Sequence, residues 1–196
     1  FVVLATITSL VTGASLELVA GNLTIPQSVE NVPGTLSGLN STNGIWADSN
    51  GNLYIADAGN YKVRGLDSNG IINTIFGTGH QSDDGIDAAY LTVSFDGVYS
   101  VQGDGDTDIY VSSGNYFIWR ARFGKGSPVV RIAGATPATR GYGGDGGPGT
   151  SAILNQPMGM YITTTSLLYF ADYGNDRIRV ISLDYAINTI TTIAGN

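Results

Sequence analysis

Two stretches of this chain have nearly the same sequence. The first, TNGIWADSNGNLYIADAGNYKVRGL, begins at Thr42, and the second, PMGMYITTTSLLYFADYGNDRIRVI, begins at Pro157. A glycine that follows an apolar segment recurs four times along the chain. The successive intervals between Gly21, Gly77, Gly134 and Gly195 are 56, 57 and 61 residues. Self-similarity at such a period predicts a fold built from equivalent units that pack on one another.

Each period contains four short segments rich in β-branched and aromatic residues, which favour strands. In the first period they are Gly44–Asp48, Leu53–Asp57, Lys62–Asp67 and Ile71–Phe76, joined by the turns SNGN, AGNY and SNG. The second period supplies GVYSV, DIYVSS, FIWRARF and PVVRIAG, and the third supplies GMYIT, LLYFAD, RIRVIS and NTITTIAG. Asn-Gly pairs provide the positive-φ residues that tight hairpins need. The sequence therefore predicts an all-β protein, a β-propeller of four-stranded antiparallel blades.

Parts of this pattern resemble the NHL repeat. They are Asn52–Arg64 (NLYIADAGNYKVR), Leu167–Ile181 (LLYFADYGNDRIRVI) and the connection Gly141–Met160. The second period is divergent, with Ser113 and Trp119 where the other periods have an aspartate and an arginine. Membership of the NHL-repeat β-propeller family implies a propeller, usually of six blades, that serves mainly as an interaction platform. A minority of related propellers are metal-dependent lyases or hydrolases.

The period boundaries predict the domain organisation. NHL-like blades are expected over 23–79, 80–135 and 136–196, the middle one being divergent, and residues 1–22 match the last strands of a preceding blade. All of them belong to one propeller domain. About three and a half blades do not close a ring, and an open stack leaves sheet faces without a partner. We therefore expect other copies of the chain, or further blades of the same chain, to complete the stack.

Two pairs of opposite charge recur at the same place in the repeat. Asp57 and Arg64, and likewise Asp172 and Arg179, lie seven residues apart across a Gly-Asn turn. Antiparallel pairing places the two members of each pair on adjacent strands, within reach of each other. Because the pairs recur in two blades, whereas catalytic groups usually occur once, we interpret them as structural ion pairs or turn caps.

Alternating carboxylates at Asp104, Asp106 and Asp108 form a calcium candidate, because hard cations bind oxygen ligands. The EF-hand pattern is not met, since Ile109 replaces the glycine at its sixth position and Asn115 replaces the glutamate at its twelfth. Asx-stabilised turns are the alternative interpretation of the same residues. No other cofactor is predicted.

The sequence offers no catalytic residue. His80 is the single histidine, so a metal site with several histidines is excluded, and the histidine falls in a polar loop after a glycine step. Gly141, Gly143 and Gly146 form a G-x-G-x-x-G pattern, but no helix or lysine follows to bind a phosphate. We predict that this segment crosses between blades, as the VPGT segment at 32–35 does.

Charge and hydropathy exclude two classes of partner. The formal net charge is −7, with 16 acidic residues and nine lysines and arginines, which would repel a phosphate backbone. We therefore predict no nucleic-acid partner. The apolar run FVVLATITSLV is too short to span a bilayer, so no membrane insertion is expected. The chain has no cysteine, which excludes disulfides and thiolate chemistry.

Two glycosylation sequons, NLT at Asn22 and NST at Asn40, favour an extracellular or cell-surface location. Our first hypothesis is a non-enzymatic extracellular scaffold or adhesion module that self-assembles into an oligomer or filament. It would bind protein or glycan through the loops 22–43, 80–96 and 136–157. The alternative is a fragment of a propeller hydrolase or lyase whose catalytic blades lie outside this chain. A third interpretation is a cytoplasmic interaction domain of a larger signalling protein.

Overall fold

The structure is a computed structural model, and it describes residues 17–22, 24–25, 27–79, 88–89, 97–105, 107–114, 116–122, 128–136, 138–184 and 186–195. Three antiparallel sheets account for the regular structure of these ranges, and the helical segments are single 3₁₀ turns. Among the described residues, no helix has the length and apolar character needed to cross a membrane. The predicted strands in 1–22 fall mainly on residues 1–16, which lie outside the described residues.

The first blade has five strands in the spatial order β1-β5-β4-β3-β2. They are β1 (Val32–Pro33), β2 (Thr42–Ala47), β3 (Leu53–Asp57), β4 (Lys62–Leu66) and β5 (Ile71–Phe76). The sequence predicted β3 and β5 at these bounds. It ended β2 and β4 one residue too late, because Asp48 and Asp67 leave the strands to accept hydrogen bonds from turn N–H groups, and it began β2 two residues too late. It also missed β1, since a two-residue strand has no periodicity to detect.

The second blade repeats this topology in the order β6-β10-β9-β8-β7. Its strands are β6 (Ala88–Ala89), β7 (Val98–Gly103), β8 (Asp108–Ser113), β9 (Phe117–Arg122) and β10 (Pro128–Ala133). The third blade is a sheet of four strands, β11 (Pro157–Ile162), β12 (Leu167–Asp172), β13 (Arg177–Ser182) and β14 (Ile190–Ala194). The predicted all-β architecture of propeller blades is confirmed.

The blades stack face to face, and each sheet has two faces that we name by their neighbours. The forward face is turned toward the next blade along the chain, and the rear face toward the preceding one. The forward face of blade one, with Tyr54, Ala56 and Val63, shares a core with Ile109 and Val111 on the rear face of blade two. A second core joins the forward face of blade two to the rear face of blade three, and it includes Tyr110, Ile118, Leu168, Phe170 and Ile181.

The crossings between blades use the same short turn twice. Pro-Gly-Thr segments begin 3₁₀ turns at Gly34–Leu36 and Gly149–Ser151. The N–H of Gly134 donates to the carbonyl of Gly149 at 3.0 Å, just as Gly21 donates to Gly34 at 3.0 Å. A Cβ on Gly149 would lie 2.4 Å from the Ile132 carbonyl oxygen. Glycine is required there because the two blades approach too closely for a side chain, which agrees with the crossing role expected for this segment.

Candidate functional site

The recurrent aspartates and arginines meet on the rear faces of blades one and three. Asp57 Oδ2 lies 3.8 Å from Arg64 Nη1, and Asp172 Oδ2 accepts a hydrogen bond from Arg179 Nη1 at 3.3 Å. All four side chains are fully buried. Strand pairing explains the contact, because Arg179 lies opposite Phe170 and Asp172 is two residues further on the same face. Burial with recurrence supports the interpretation of a structural ion pair.

Each aspartate also ties the strand entering the blade to the turn between the two central strands. Asp57 Oδ1 accepts from the N–H of Asn40 at 2.7 Å, and its Oδ2 accepts from Asn60 Nδ2 at 2.9 Å. The third blade repeats both bonds to Asp172, from the N–H of Asn155 at 2.8 Å and from Asn175 Nδ2 at 2.8 Å. A buried carboxylate is tolerated because its oxygens are satisfied in this way.

A second carboxylate, which the sequence analysis did not identify, reaches each arginine from the loop before the blade. In blade three, Asp145 Oδ1 accepts from Arg179 Nη2 at 2.6 Å and Asp145 Oδ2 accepts from the N–H of Thr192 at 3.0 Å. In blade one, Glu30 lies 3.5 Å from Arg64 and accepts from the N–H of Thr74 at 2.6 Å. The sequence signal is the threonine that recurs in NTIF and TTIA, with an acidic residue in the preceding loop.

The arginine also binds backbone carbonyls of the incoming loop. Arg179 donates to the carbonyls of Ile153 and Gly143, each at 3.0 Å, and Arg64 donates to the carbonyl of Val29 at 2.7 Å. We call the assembly of buried arginine, strand aspartate, loop carboxylate and outer-strand threonine the loop clamp. It fixes the loop before a blade to the blade's two central strands and to its outer strand.

The pKa values of the loop carboxylates Glu30 and Asp145 are lowered, whereas the pKa of the strand aspartate Asp57 is raised. Burial raises the pKa of Asp57, more than its hydrogen bonds from Asn40 and Asn60 and the charge of Arg64 lower it. At Asp145, burial also raises the pKa, but hydrogen bonds from Tyr142, Arg179 and Thr192 outweigh it and bring the pKa down to about 2. Charge-assisted hydrogen bonds are stronger than neutral ones. Asp145 is therefore firmly ionised at neutral pH, and both of its oxygens are bound by groups of the protein.

Blade two replaces the ion pair by an uncharged contact. Trp119 Nε1 donates to Ser113 Oγ at 2.6 Å, and both side chains are buried. Strand pairing places Trp119 opposite Val111 and Ser113 opposite Phe117, which is the register of Arg64 and Asp57 in blade one. The predicted equivalence of these positions is therefore confirmed by the register. A ring contact supports the tryptophan, since Phe117 meets it edge-on at 5.7 Å.

The two described aspartates of the calcium candidate, Asp104 and Asp108, have different contacts. Asp104 Oδ1 accepts from the N–H of Asp108 at 2.8 Å, as an Asx turn does. Asp108 is 2% exposed, and its Oδ1 accepts from Arg122 Nε at 3.3 Å. Asp106 lies outside the described residues. In the ranges that the structure describes, no three His, Cys, Asp or Glu side chains are grouped as metal ligands would be.

The same turn in blade one uses Asp48, which accepts from the N–H groups of Asn50 and Asn52 at 3.0 and 2.9 Å. In blade three Thr163 Oγ1 takes the place of the carboxylate and accepts from the N–H of Leu167 at 3.2 Å. Since threonine performs the same task, the turn requires only a hydrogen-bond acceptor. The Asx-turn interpretation accounts for Asp48 and Asp104, and calcium binding stays the alternative interpretation.

The two sequon asparagines have different contacts. Asn22 Nδ2 donates to the carbonyl of Thr35 at 2.9 Å, and its Oδ1 accepts from Thr24 Oγ1 at 2.7 Å. Asn40 is exposed, and its side chain packs so closely on Gly59 that a Cβ there would lie 2.4 Å away. Asn155, which has no sequon, packs on Gly174 in the same way. Asn40 therefore has a structural role that is independent of any glycan. His80 lies outside the described residues.

Comparison with known proteins supports the fold. No protein-family model matches the chain, and no curated protein matches it. Among solved structures, it is similar to virginiamycin B lyase from Staphylococcus aureus, with a TM-score of 0.52, 13% identity, and 79% of this chain covering 41% of that one. It is also similar to an auxiliary nutrient binding protein from Bacteroides thetaiotaomicron, with a TM-score of 0.58, 17% identity, and coverage of 86% and 43%.

A structural genomics protein of unknown function from Bacteroides thetaiotaomicron gives a TM-score of 0.56 at 11% identity, with coverage of 90% of this chain and 38% of that one. The chain thus spans about two-fifths of the length of these structures. At such low identity the likeness concerns the fold alone. The described chain is an open stack of β-propeller blades.

Proposed function

We propose that this chain is an NHL-type β-propeller that serves as a non-enzymatic extracellular scaffold or adhesion module. The observation that carries the proposal is the loop clamp. It occurs in blades one and three with the same partners, and it uses buried charges to hold the loops that precede the blades. Loops held on a rigid base are what a binding platform needs.

The chemistry of the clamp also favours architecture over catalysis. Arg179 binds two carboxylates and two backbone carbonyls while fully buried. A catalytic acid or base must reach a substrate proton, whereas Asp57 and Asp172 are fully buried and both oxygens of Asp145 accept hydrogen bonds from the protein. The clamp therefore supports a scaffold more than an active site. The proposal includes no cofactor.

An extracellular location fits the surroundings of Asn22. Its sequon threonine, Thr24, bonds the asparagine side chain in a partly exposed turn. Partners of the proposed module are protein or glycan ligands and further blades, supplied by the same chain or by other copies. The acidic net charge of −7 makes nucleic acid an unfavourable partner.

The test is binding of the purified chain to a printed panel of cell-surface and matrix glycans and to immobilised matrix glycoproteins. We expect saturable binding to one ligand class, and we expect Arg179→Met to weaken it because the loop 141–146 is released from its blade. The matched control is Arg177→Met on the same strand, which leaves the clamp intact. Absence of binding to every probe, or catalytic turnover of ester and glycoside substrates by the wild-type chain, would contradict the proposal and favour a hydrolase or lyase.

A further inference from the structure

A small cavity lies between blades two and three, at the end of the strands opposite the loop clamp. The turn 163–166 that borders it precedes β12, whereas the clamp residue Asp172 ends that strand. Its volume is about 120 Å³. Both of the blades that form the cavity belong to the described chain. Among the residues that line it are Asp104, Tyr110, Ile162, Thr164, Ser166 and Leu183.

The interface between blades one and two has an aromatic ring at the equivalent place. Trp46 lies opposite Tyr54 in the sheet, contacts it with 5.2 Å between the ring centres, and packs directly on Gly103 of blade two. In blade two the strand register gives Gln102 the position of Trp46 and Tyr110 the position of Tyr54. No indole therefore covers Tyr110, and the cavity is present at the interface where this ring is missing.

The turn carboxylate of blade two has an oxygen that the described protein does not use. Asp104 Oδ1 accepts from the N–H of Asp108 at 2.8 Å, whereas no described residue donates to Asp104 Oδ2. In blade one the corresponding oxygen of Asp48 accepts from Asn52 Nδ2 at 2.7 Å and from Tyr54 Oη at 3.3 Å. Asp108 occupies the position of Asn52 and has no side-chain N–H to replace that donor. The oxygen of Asp104 is therefore open to a donor from outside the chain.

Two hydroxyl groups add further acceptors to the same cavity. Thr164 and Ser166 are exposed, and neither hydroxyl is bonded by a residue that the structure describes. The deeper part of the lining is apolar, since Tyr110 is 1% exposed and Leu183 5%. None of the described residues that line the cavity is basic. The cavity thus combines an uncompensated carboxylate and two hydroxyls with an apolar interior.

A primary alkylammonium group has the chemistry that complements these groups. It carries three N–H donors and no acceptor, and its charge strengthens the hydrogen bond to a carboxylate. Its methylene stem packs on apolar side chains while the charged end stays near water. An anion, in contrast, would be repelled by the carboxylate of Asp104.

We propose that the cavity between blades two and three binds a primary alkylammonium group, carried by a lysine side chain of a protein partner or by a free amine. The ammonium donates to Asp104, Thr164 and Ser166, and the stem contacts Ile162 and Leu183. The inference goes beyond the proposed function, because this cavity and the clamped loops lie at opposite ends of the blades.

The test is an NMR titration of the isotope-labelled, purified chain with n-butylammonium chloride at constant ionic strength. We expect saturable shifts of the amide signals of Thr164, Ser166 and Leu183, with a Kd on the order of 1–10 mM. n-Butanol has a similar stem without the charge, and tetramethylammonium has the charge without N–H donors. Each should bind about tenfold more weakly than n-butylammonium.

Asp104→Asn removes the charge and keeps the turn, because the amide oxygen still accepts from the N–H of Asp108. We expect it to weaken n-butylammonium binding by about tenfold. The matched control is Asp67→Asn, which changes an aspartate that accepts from the N–H groups of Asn69 and Ile71 in a turn of blade one. It should leave the binding unchanged. The dispersion of the amide spectrum verifies that each variant is folded.

Nα-Acetyl-lysine methylamide distinguishes the two sources of the amine. Stronger binding than that of n-butylammonium would indicate a lysine of a protein partner, weaker binding would indicate a free amine, and both results support the site. Absence of saturable shifts, equal binding of n-butanol, or an Asp104→Asn variant that binds as the wild type does would overturn the inference. Such results would leave the proposed scaffold function intact, since glycan and matrix binding is expected at the clamped loops.

Discussion

Removing the positive charge of the loop clamp in blade three should cost a large part of the stability of the chain. Arg179→Met leaves Asp172 fully buried without its cation, and it removes the guanidinium hydrogen bonds to the carbonyls of Ile153 and Gly143. Breaking one partner of a buried ion pair costs about 3–5 kcal/mol. We expect the lower half of this range, because Asn155 and Asn175 still donate to Asp172.

The assay is urea unfolding followed by circular dichroism and by tryptophan fluorescence, whose transitions must coincide before a free energy is derived. For a chain of this length, a loss of about 3–4 kcal/mol corresponds to a fall in Tm of about 6–16 °C. Arg177→Met, two residues away, removes a cation–π contact with Tyr142 and a hydrogen bond to the carbonyl of Asn175 at 2.8 Å, and it should cost about 1–2 kcal/mol.

The double variant Arg179→Met with Asp172→Asn measures the interaction free energy between these two side chains. Because it removes both charges, its cost should be smaller than the sum of the single costs by about 1–3 kcal/mol. If Arg179→Met is no more destabilising than Arg177→Met, or if the two single costs simply add, the interpretation of the clamp as a buried ion pair is refuted.

Four further predictions concern other parts of the molecule. Asp145 has its pKa lowered to about 2 by folding, so its contribution is present above the ordinary value of 3.8 and is lost as the pH falls toward about 2. Asp145→Asn should therefore make the Tm fall less steeply with pH across this window, whereas an unchanged slope would show that Asp145 does not cause the pH dependence. Ser113→Ala leaves the buried Trp119 N–H without an acceptor and should cost about 1–3 kcal/mol in urea unfolding; a neutral effect would show that the bond is unimportant. Gly149→Ala should destabilise strongly, since its Cβ would meet the Ile132 carbonyl at 2.4 Å, while Gly147→Ala, with its nearest contact at 3.4 Å, should be mild; equal thermal shifts would contradict the close crossing. Calcium should leave the Tm unchanged because Asp104 already bonds the turn, and a rise that Asp104→Asn abolishes would establish the predicted site instead.

The fold was largely predictable because the repeat presents the same pattern three times. Each central hairpin has apolar strands of the right length with an Asn or Gly turn, so β3 and β12 could be placed from the residues alone. The two-residue strands β1 and β6 could not, since they form only when a loop meets the edge of a sheet that is distant in sequence. Long-range pairing of that kind has no local signal.

The part of the site that could be predicted is the aspartate–arginine pair that recurs in blades one and three. Asp172 and Arg179 are seven residues apart in one hairpin, so strand geometry brings them together. Asp145 is 34 residues from Arg179, and no spacing rule connects them. The loop that carries Asp145 is placed by the crossing turn at Gly149, whose contacts depend on how two blades pack. Contacts set by packing between sheets therefore escaped sequence analysis, whereas those within a hairpin did not.

The central claim is that the repeated sequence forms three equivalent blades, each held by its own central hairpin. Hydrogen–deuterium exchange of the purified chain, resolved by peptide, tests it most directly. We expect the central strand pairs β3–β4, β8–β9 and β12–β13 to exchange last and at similar rates, because each lies in the middle of its sheet. Rapid exchange across β8–β9 with protection of the other two pairs would show that the divergent blade is not an equivalent member of the stack, and the account would be wrong.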